Sequence, residues 1–371
     1  MYASSYDARV KKIQSLLAKT SCDALLVVCQ DGVGWEDVRY LTGFAGSSGV
    51  FLITWDDAVL FTDSRYSALA RENARCRTIC CSDVGRKSPL YAALGMVGMN
   101  GARKIAYGGK KMGHEVYRSM SETLGETVDL FDLSSAILNL RRSKCDEELR
   151  CIRGAVEIAR RAFLELLGDV APGMTEREIA ARLAFSILRN GGDFNAPPPI
   201  LVSSGERTSY PHSYPTDRRI AKGELVMIDF GVRFDGYVCD ITRMIYLGDP
   251  PGEIERMYSM LVWAQAEAFA SLKPGVFVAD VDETARSVLR SSGLGKNFVH
   301  GIGHGIGLDI HELPSLSSAV RMTLEERDVL TLEPGFYRPG WGGMRVEDDY
   351  LITSDGAVCL SKGFENRLYV I

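Results

Sequence analysis

Four acidic residues and a knot of histidines carry the chemistry available to this sequence. The run VMIDFGVRFDGYVCDITRMIYL (226–247) sets Asp229 and Asp240 among apolar neighbours. Asp235-Gly236 at its centre is a two-residue hairpin signal. That turn predicts pairing of Phe234 with Tyr237, Gly231 with Asp240 and Asp229 with Thr242. The two aspartates then become diagonal neighbours on one face. Carboxylates so placed repel unless a cation lies near, and a metal ion or Arg243 could supply it. A second pair, Glu333 and Glu347, lies in VLTLEPGFYRPGWGGMRVEDDYLIT (329–353). Glu347 shares a strand face with Arg345 by the period of two. Taken alone, these read as an ordinary ion pair and a strand-end glutamate.

The stretch HGIGHGIGLDIHE (300–312) holds three of the chain's five histidines. Its alternating glycines argue against a helix, at a cost of about 0.8–1 kcal/mol each relative to alanine. In an extended chain His304 and His311 have opposite parity, so they are not expected to face one ion together. Nor is this the H-E-x-x-H zinc helix, because Gly305 follows His304. Three histidines so close, tied to glycines that permit near approach of the backbone, exceed what isolated core histidines explain.

The elements that must hold these residues divide the chain in two. In the first third, 23–28, 49–54, 57–63, 104–109 and 127–132 read as strands, with a tight Trp55-Asp56 turn between the second and third. The N-terminus reads as an amphipathic helix burying Val10, Ile13, Leu16 and Leu17, and 64–75 as another helix. From Cys145 the period changes: Leu149, Ile152, Val156, Ala159, Phe163 and Leu166 mark a long helix ending at Ala171-Pro172-Gly173. Thr175 and Glu178 have capping-box spacing for the next helix. Beyond residue 195 strands dominate, mixed with helices near 253–272 and 279–292. The expectation is an α/β domain over 1–133 and an α+β domain with mainly antiparallel strands over 134–371.

Composition narrows the function classes. A net charge of -5 with scattered basic residues disfavours a nucleic-acid partner. No apolar run reaches membrane-spanning length, and the N-terminus lacks a signal peptide's pattern, so a cytoplasmic protein is expected. Nine cysteines without a C-x-x-C pair read as reduced, mostly buried thiols.

The ordered set Asp229, Asp240, His304, Glu333 and Glu347 resembles the five-ligand signature of the pita-bread metallopeptidases, the superfamily of methionine aminopeptidase, aminopeptidase P and proline dipeptidase. DFGVRFDGYVCDITR, HGIGHGIGLDIHE, LTLEPGFY and GGMRVEDDYLIT carry the likeness. LTGFAGSSGVFLITWDDAVLFTDSRY resembles the creatinase/prolidase-type N-terminal domain of the proline-specific branch. The resemblance implies a pita-bread catalytic domain, like that of methionine aminopeptidase and creatinase, with two divalent ions. Mn²⁺ suits the oxygen-rich ligands best, with Co²⁺ or Zn²⁺ as alternatives. Asp229 would bind one ion, Asp240 and Glu347 both, and His304 and Glu333 the second.

The same resemblance implies hydrolysis of the bond before a proline by water activated between the ions. Glu333 would carry the proton, and His311 would stabilise the developing oxyanion. His212 and His300 would shape the substrate side, and Arg345 would brace a ligand carboxylate and the substrate end. His114 matches nothing and reads as surface. DFNAPPPI is more proline-rich than the family pattern, which touches the expected pocket wall at Phe194. An Xaa-Pro aminopeptidase acting on proline-containing peptides is the first expectation, and a strict Xaa-Pro dipeptidase the alternative. The dipeptidase needs a cationic stop, for which Arg338 is the local candidate. A creatinase-like amidinohydrolase or a metal-free binding module would have lost ligand carboxylates. A homodimer follows from the resemblance.

Overall fold

The computed structural model describes residues 2–99, 101–193 and 198–371, so Phe194 lies outside the described residues. Two compact units result, Met1–Arg141 and Arg142–Ile371.

In the first unit, strands β1 (Ala24–Cys29), β2 (Gly49–Thr54), β3 (Ala58–Thr62), β4 (Arg77–Cys80), β5 (Lys104–Gly108) and β6 (Asp129–Asp132) form one sheet in the order β4-β3-β2-β1-β5-β6. The central strands ALLVVC and GVFLIT are buried almost throughout, which is why they carry unbroken apolar runs. Strands β1 to β3 pair antiparallel, and β4, β5 and β6 join in parallel. Helices α1 (Tyr2–Thr20), α2 (Trp35–Thr42), α3 (Ser67–Asn73), α4 (Pro89–Met99), α5 (His114–Leu124) and α6 (Ser134–Arg142) complete it. Helix α1 fully buries Ile13 and Leu17 and only partly buries Val10 and Leu16. Helix α3 starts later than expected, because the Asp63 carboxylate accepts from the Arg65 N–H and holds 64–66 in a turn. His114, at the start of α5, is exposed.

The units divide later than the break expected after residue 133. Helix α6 belongs to the first unit as far as Arg141: Ile137 is fully buried, and its Cδ1 occupies the space beside Gly108 that any Cβ would fill. Arg141 donates to Asp37 at 2.7 Å within the same unit.

The second unit begins with α7 (Asp146–Leu167) and α8 (Glu176–Arg189). Both start with capping boxes, Cys145 with Glu148 and Thr175 with Glu178, the second as its spacing predicts. Strands β7 (Ile200–Ser204), β8 (Leu225–Phe234) and β9 (Tyr237–Tyr246) follow, then α9 (Gly252–Ser271) and α10 (Val278–Ser291). The remaining strands are β10 (Gly303–Gly305), β11 (Glu312–Leu316), β12 (Val329–Leu332), β13 (Gly335–Arg338), β14 (Gly342–Arg345), β15 (Asp348–Ile352), β16 (Ala357–Cys359) and β17 (Tyr369–Val370). They form sheets β17-β9-β8-β7 and β11-β10-β12-β15-β16 and the hairpin β13-β14. All these pairings are antiparallel except β17 with β9.

Alternation along β8 and β9 separates two cores. Val226, Ile228, Phe230, Val232, Cys239, Ile241 and Ile245 pack with α7 and α8. Leu225, Met227, Met244 and Tyr246 pack with α9 and α10 on the other face. The residues that interrupt this second face, Asp229 on β8 with Asp240 and Thr242 on β9, follow the same period of two. All nine cysteines are free, and no helix among the described residues is long and apolar enough to cross a membrane.

Candidate active site

The β8–β9 register pairs Phe234 with Tyr237, Gly231 with Asp240 and Asp229 with Thr242, as the Asp-Gly turn predicts. An isolated antiparallel bridge joins Thr242 to Glu347 and brings the junction of β14 and β15 against this hairpin. His304 sits at the centre of β10. Glu333 follows β12 and is anchored by its N–H to the Ile302 carbonyl at 2.7 Å. Asp229, Asp240, His304, Glu333 and Glu347 therefore converge on one cavity of about 340 Å³.

Their geometry suits a metal. His304 Nε2 is 3.7 Å from both Asp240 Oδ2 and Glu333 Oε1. Ligand atoms of Asp240, His304 and Glu347 all lie within 4.8 Å of one another. Two donors each bound at ~2.1 Å to a common ion stand roughly 3–4 Å apart, so this spacing fits coordination. The electrostatics agree. Burial raises the Asp229 carboxyl above its usual range, and burial with repulsion from Glu347 raises Asp240 and Glu333 well above theirs. Burial and Asp229 push Glu347 to about 7. Such a set is costly to ionise together without a cation between its members. Burial, then His311, lowers His304 to about 3, which keeps it the neutral imidazole that ligation needs.

Arg345 is buried and committed. It donates to Asp229 Oδ2, to Thr242 Oγ1 at 2.9 Å, to the Tyr337 hydroxyl at 2.9 Å and to the Pro211 carbonyl at 3.2 Å. Arg243 is not the aspartates' counter-ion. It pairs with Asp348 at 2.7 Å and donates to the carbonyls of Thr242 and Glu347.

Two histidine expectations change. The rings of His304 and His311 lie 4.3 Å apart, despite their opposite parity. Parity governs a single strand, but here the chain turns between β10 and β11, and Gly305 pairs with Glu312. His311 and His212 line the cavity, whereas His300 is not among its lining residues. His300 stands behind Glu333, with Nδ1 3.8 Å from Oε2 and Nε2 2.9 Å from the Tyr337 hydroxyl. Burial lowers its pKa to about 4, so a neutral ring accepts from Tyr337 while Nδ1–H donates to the Gly301 carbonyl.

Thr242 and Tyr337 were not singled out from the sequence. The Thr242 hydroxyl donates to Glu347 Oε2 at 2.6 Å, and Tyr337 links His300 to Arg345. The predicted register had already placed Thr242 opposite Asp229, whereas nothing local marks Tyr337. The glycines of β10 permit close approach of neighbouring backbone. A Cβ at Gly303 would overlap the Thr331 carbonyl, and one at Gly305 the Leu313 carbonyl, so they let three strands lie close.

Buried carboxylates and one neutral imidazole, held by packed antiparallel sheets around a single cavity, form a site suited to divalent metal. Residues 150–354 match metallopeptidase family M24, and residues 9–143 match the creatinase/prolidase N-terminal domain. The chain belongs to metallopeptidase family M24 and is a divalent-metal hydrolase with the pita-bread fold that the sequence resemblance implied. It is 33% identical to an Xaa-Pro dipeptidase of Pyrococcus horikoshii, over 95% of this chain and 97% of that one. An X-Pro aminopeptidase structure from Thermotoga maritima superposes with a TM-score of 0.87 at 30% identity, covering 95% and 98% of the two chains. An Xaa-Pro dipeptidase structure from Bacillus anthracis gives 0.90 at 29% identity, covering 99% and 100%.

Proposed function

We propose that this metallopeptidase removes an N-terminal residue that precedes proline, as an Xaa-Pro aminopeptidase. Two divalent ions would be held by Asp229 on one, Asp240 and Glu347 on both, and His304 and Glu333 on the other. When bound, they would supply Lewis acidity and bring water's pKa into the working range. Mn²⁺ fits a set of four carboxylates and one imidazole, with Co²⁺ and Zn²⁺ competing by affinity and supply.

The chain's own groups perform the rest. Glu333 takes the proton from the attacking water and passes it to the leaving proline nitrogen. His311, at the cavity wall, donates to the carbonyl oxygen as charge develops there. Arg345 holds Asp229 in place through its hydrogen bond, and His300 acts one layer back by holding Tyr337 against Arg345. His212 contacts the substrate at the cavity mouth.

The lining of the cavity carries the choice of aminopeptidase. Among its described residues the only arginine is Arg345, and that guanidinium is already shared among Asp229, Thr242, Tyr337 and Pro211. Arg338 is exposed, stacks on Trp341 at 4.9 Å and is not part of the lining. A dipeptide's free carboxylate would thus lack a dedicated cation, whereas a continuing peptide needs none. The dipeptidase reading keeps the support of the Pyrococcus horikoshii relative named above. Hydrolysis of Xaa-Pro and Xaa-Pro-Xaa, compared under Mn²⁺ and Co²⁺, separates them: the tripeptide should be preferred, and equal or better turnover of the dipeptide overturns the proposal. The nine free thiols support a reducing compartment such as the cytoplasm. The homodimer belongs to the same reading on resemblance alone, and light scattering at the monomer mass would refute it.

A further inference from the structure

The loop between β7 and Thr216 carries His212 and Tyr214, both exposed and both lining the cavity. What fixes it is a carboxylate with no place in the chemistry. Glu176, in the first turn of α8, has no exposed surface. Its Oε1 accepts from the Ser204 N–H at 2.9 Å, the Ser204 hydroxyl at 2.8 Å and Arg207 Nε at 3.2 Å. Its Oε2 accepts from the Thr216 N–H at 2.9 Å, the Thr216 hydroxyl at 2.7 Å and the same Arg207 Nε. One side chain thus ties down both ends of the loop.

Arg207 extends the tie inward. Its Nη2 donates to the Ser213 hydroxyl and to the Tyr214 carbonyl, both at 2.8 Å. On the other side of His212, the Pro211 carbonyl accepts from Arg345. His212 therefore sits between two anchored neighbours. Helix capping does not explain Glu176, because Thr175 and Glu178 already close that end of α8. A buried carboxylate is tolerated only where donors surround it, and these donors come from the end of β7 and the loop that follows it.

We propose that Glu176 is a positioning residue that presets the 204–216 loop, and with it His212 and Tyr214, for peptide binding. This rests on the reading of that cavity as the peptide site. The test uses full-length Glu176→Gln and Arg207→Met, with Glu178→Ala as a control that weakens α8 without touching the loop. With Mn²⁺ and an Ala-Pro-Ala substrate, the first two variants should raise KM about tenfold while kcat changes less than about threefold, the pattern of lost uniform binding. Their metal content should match wild type. Hydrogen exchange should accelerate across 204–216 in both and stay at the wild-type rate there in the control.

An unchanged KM with unchanged exchange in both variants overturns the proposal. So does a KM increase of equal size in Glu178→Ala, which would indicate general loosening. Arg207→Met leaves Glu176 in place and keeps the test open if Glu176→Gln does not fold. A wild-type protein inactive on every Xaa-Pro substrate would sink the functional reading, while the exchange data would still judge the loop.

Discussion

The Thr242 hydroxyl lies 2.6 Å from Glu347 Oε2 and donates to it, across an isolated bridge between residues more than a hundred positions apart. The Thr242 hydroxyl oxygen in turn accepts from Arg345 Nε at 2.9 Å. Thr242 thus orients the Glu347 carboxylate, a proposed metal ligand, on one side and occupies Arg345 on the other.

Thr242→Val keeps the shape and removes both hydrogen bonds. Loss of a group that orients a ligand typically weakens metal affinity about 10–100-fold, and that range is expected here. Titration of the chelated variant with Mn²⁺ by calorimetry reads it, and wild-type affinity would contradict the role assigned to Thr242.

His304 and His311 should separate by readout although their rings nearly touch. His304→Ala is expected to lose bound metal. His311→Ala should keep it and lose kcat by about 10²–10³, the usual cost of one oxyanion donor. Metal analysis beside steady-state kinetics decides the matter, and equal metal loss in both would make the two imidazoles joint ligands.

The carboxylate cluster gives chelated protein a distinctive pH dependence. Burial and mutual repulsion raise Asp240 and Glu333 well above their ordinary 3.8 and 4.5, and burial with Asp229 brings Glu347 to about 7. Between the ordinary and the raised values the folded state binds more protons than the unfolded one, so stability falls as pH rises through that window. Metal bound by the proposed ligands would hold the same groups ionised and remove the penalty. The melting-temperature gap between Mn²⁺-loaded and chelated protein should therefore widen from about pH 5 to about pH 8. A gap of constant size across that range would show that the cluster does not titrate as a buried unit.

How much of this was legible in sequence depended on how local the physics was. The Asp235-Gly236 turn fixes its own register, and Thr175 with Glu178 closes its own helix end, so the hairpin and α8 followed from short-range signals. Helices α4 and α5 carry weaker local signals, although Pro89 opens one and Val116 and Met120 share the buried face of the other. The polar run around α6 hides Ile137, whose partner is the distant Gly108, so the sequence alone points to a break before this helix. At the site, the order of the five proposed ligands is readable. The contacts that position them are not, since Glu347 meets Thr242, and His300 meets Tyr337, only after the sheets pack. The nearness of the His304 and His311 rings is hidden in the sequence for the same reason: the turn between them depends on how β11 lies against β10.

The glycines of β10 allow a last test of what positions His304. At Gly303 a Cβ would intrude on the Thr331 carbonyl of the neighbouring strand, and backbone cannot swing aside as a flexible side chain can. Gly303→Ala should therefore push β10 off β12 at a cost of roughly 1–3 kcal/mol, the range for overpacking a tight interior. His304 moves with its strand, so metal affinity should fall as well. Gly356, with nothing within 4 Å of its Cβ position, provides the comparison. Gly356→Ala should stay within about 0.5 kcal/mol of wild type and keep its metal. Urea unfolding followed by metal analysis measures both effects. A Gly303→Ala protein as stable and as well loaded as Gly356→Ala would mean that close strand approach is not what the glycine provides.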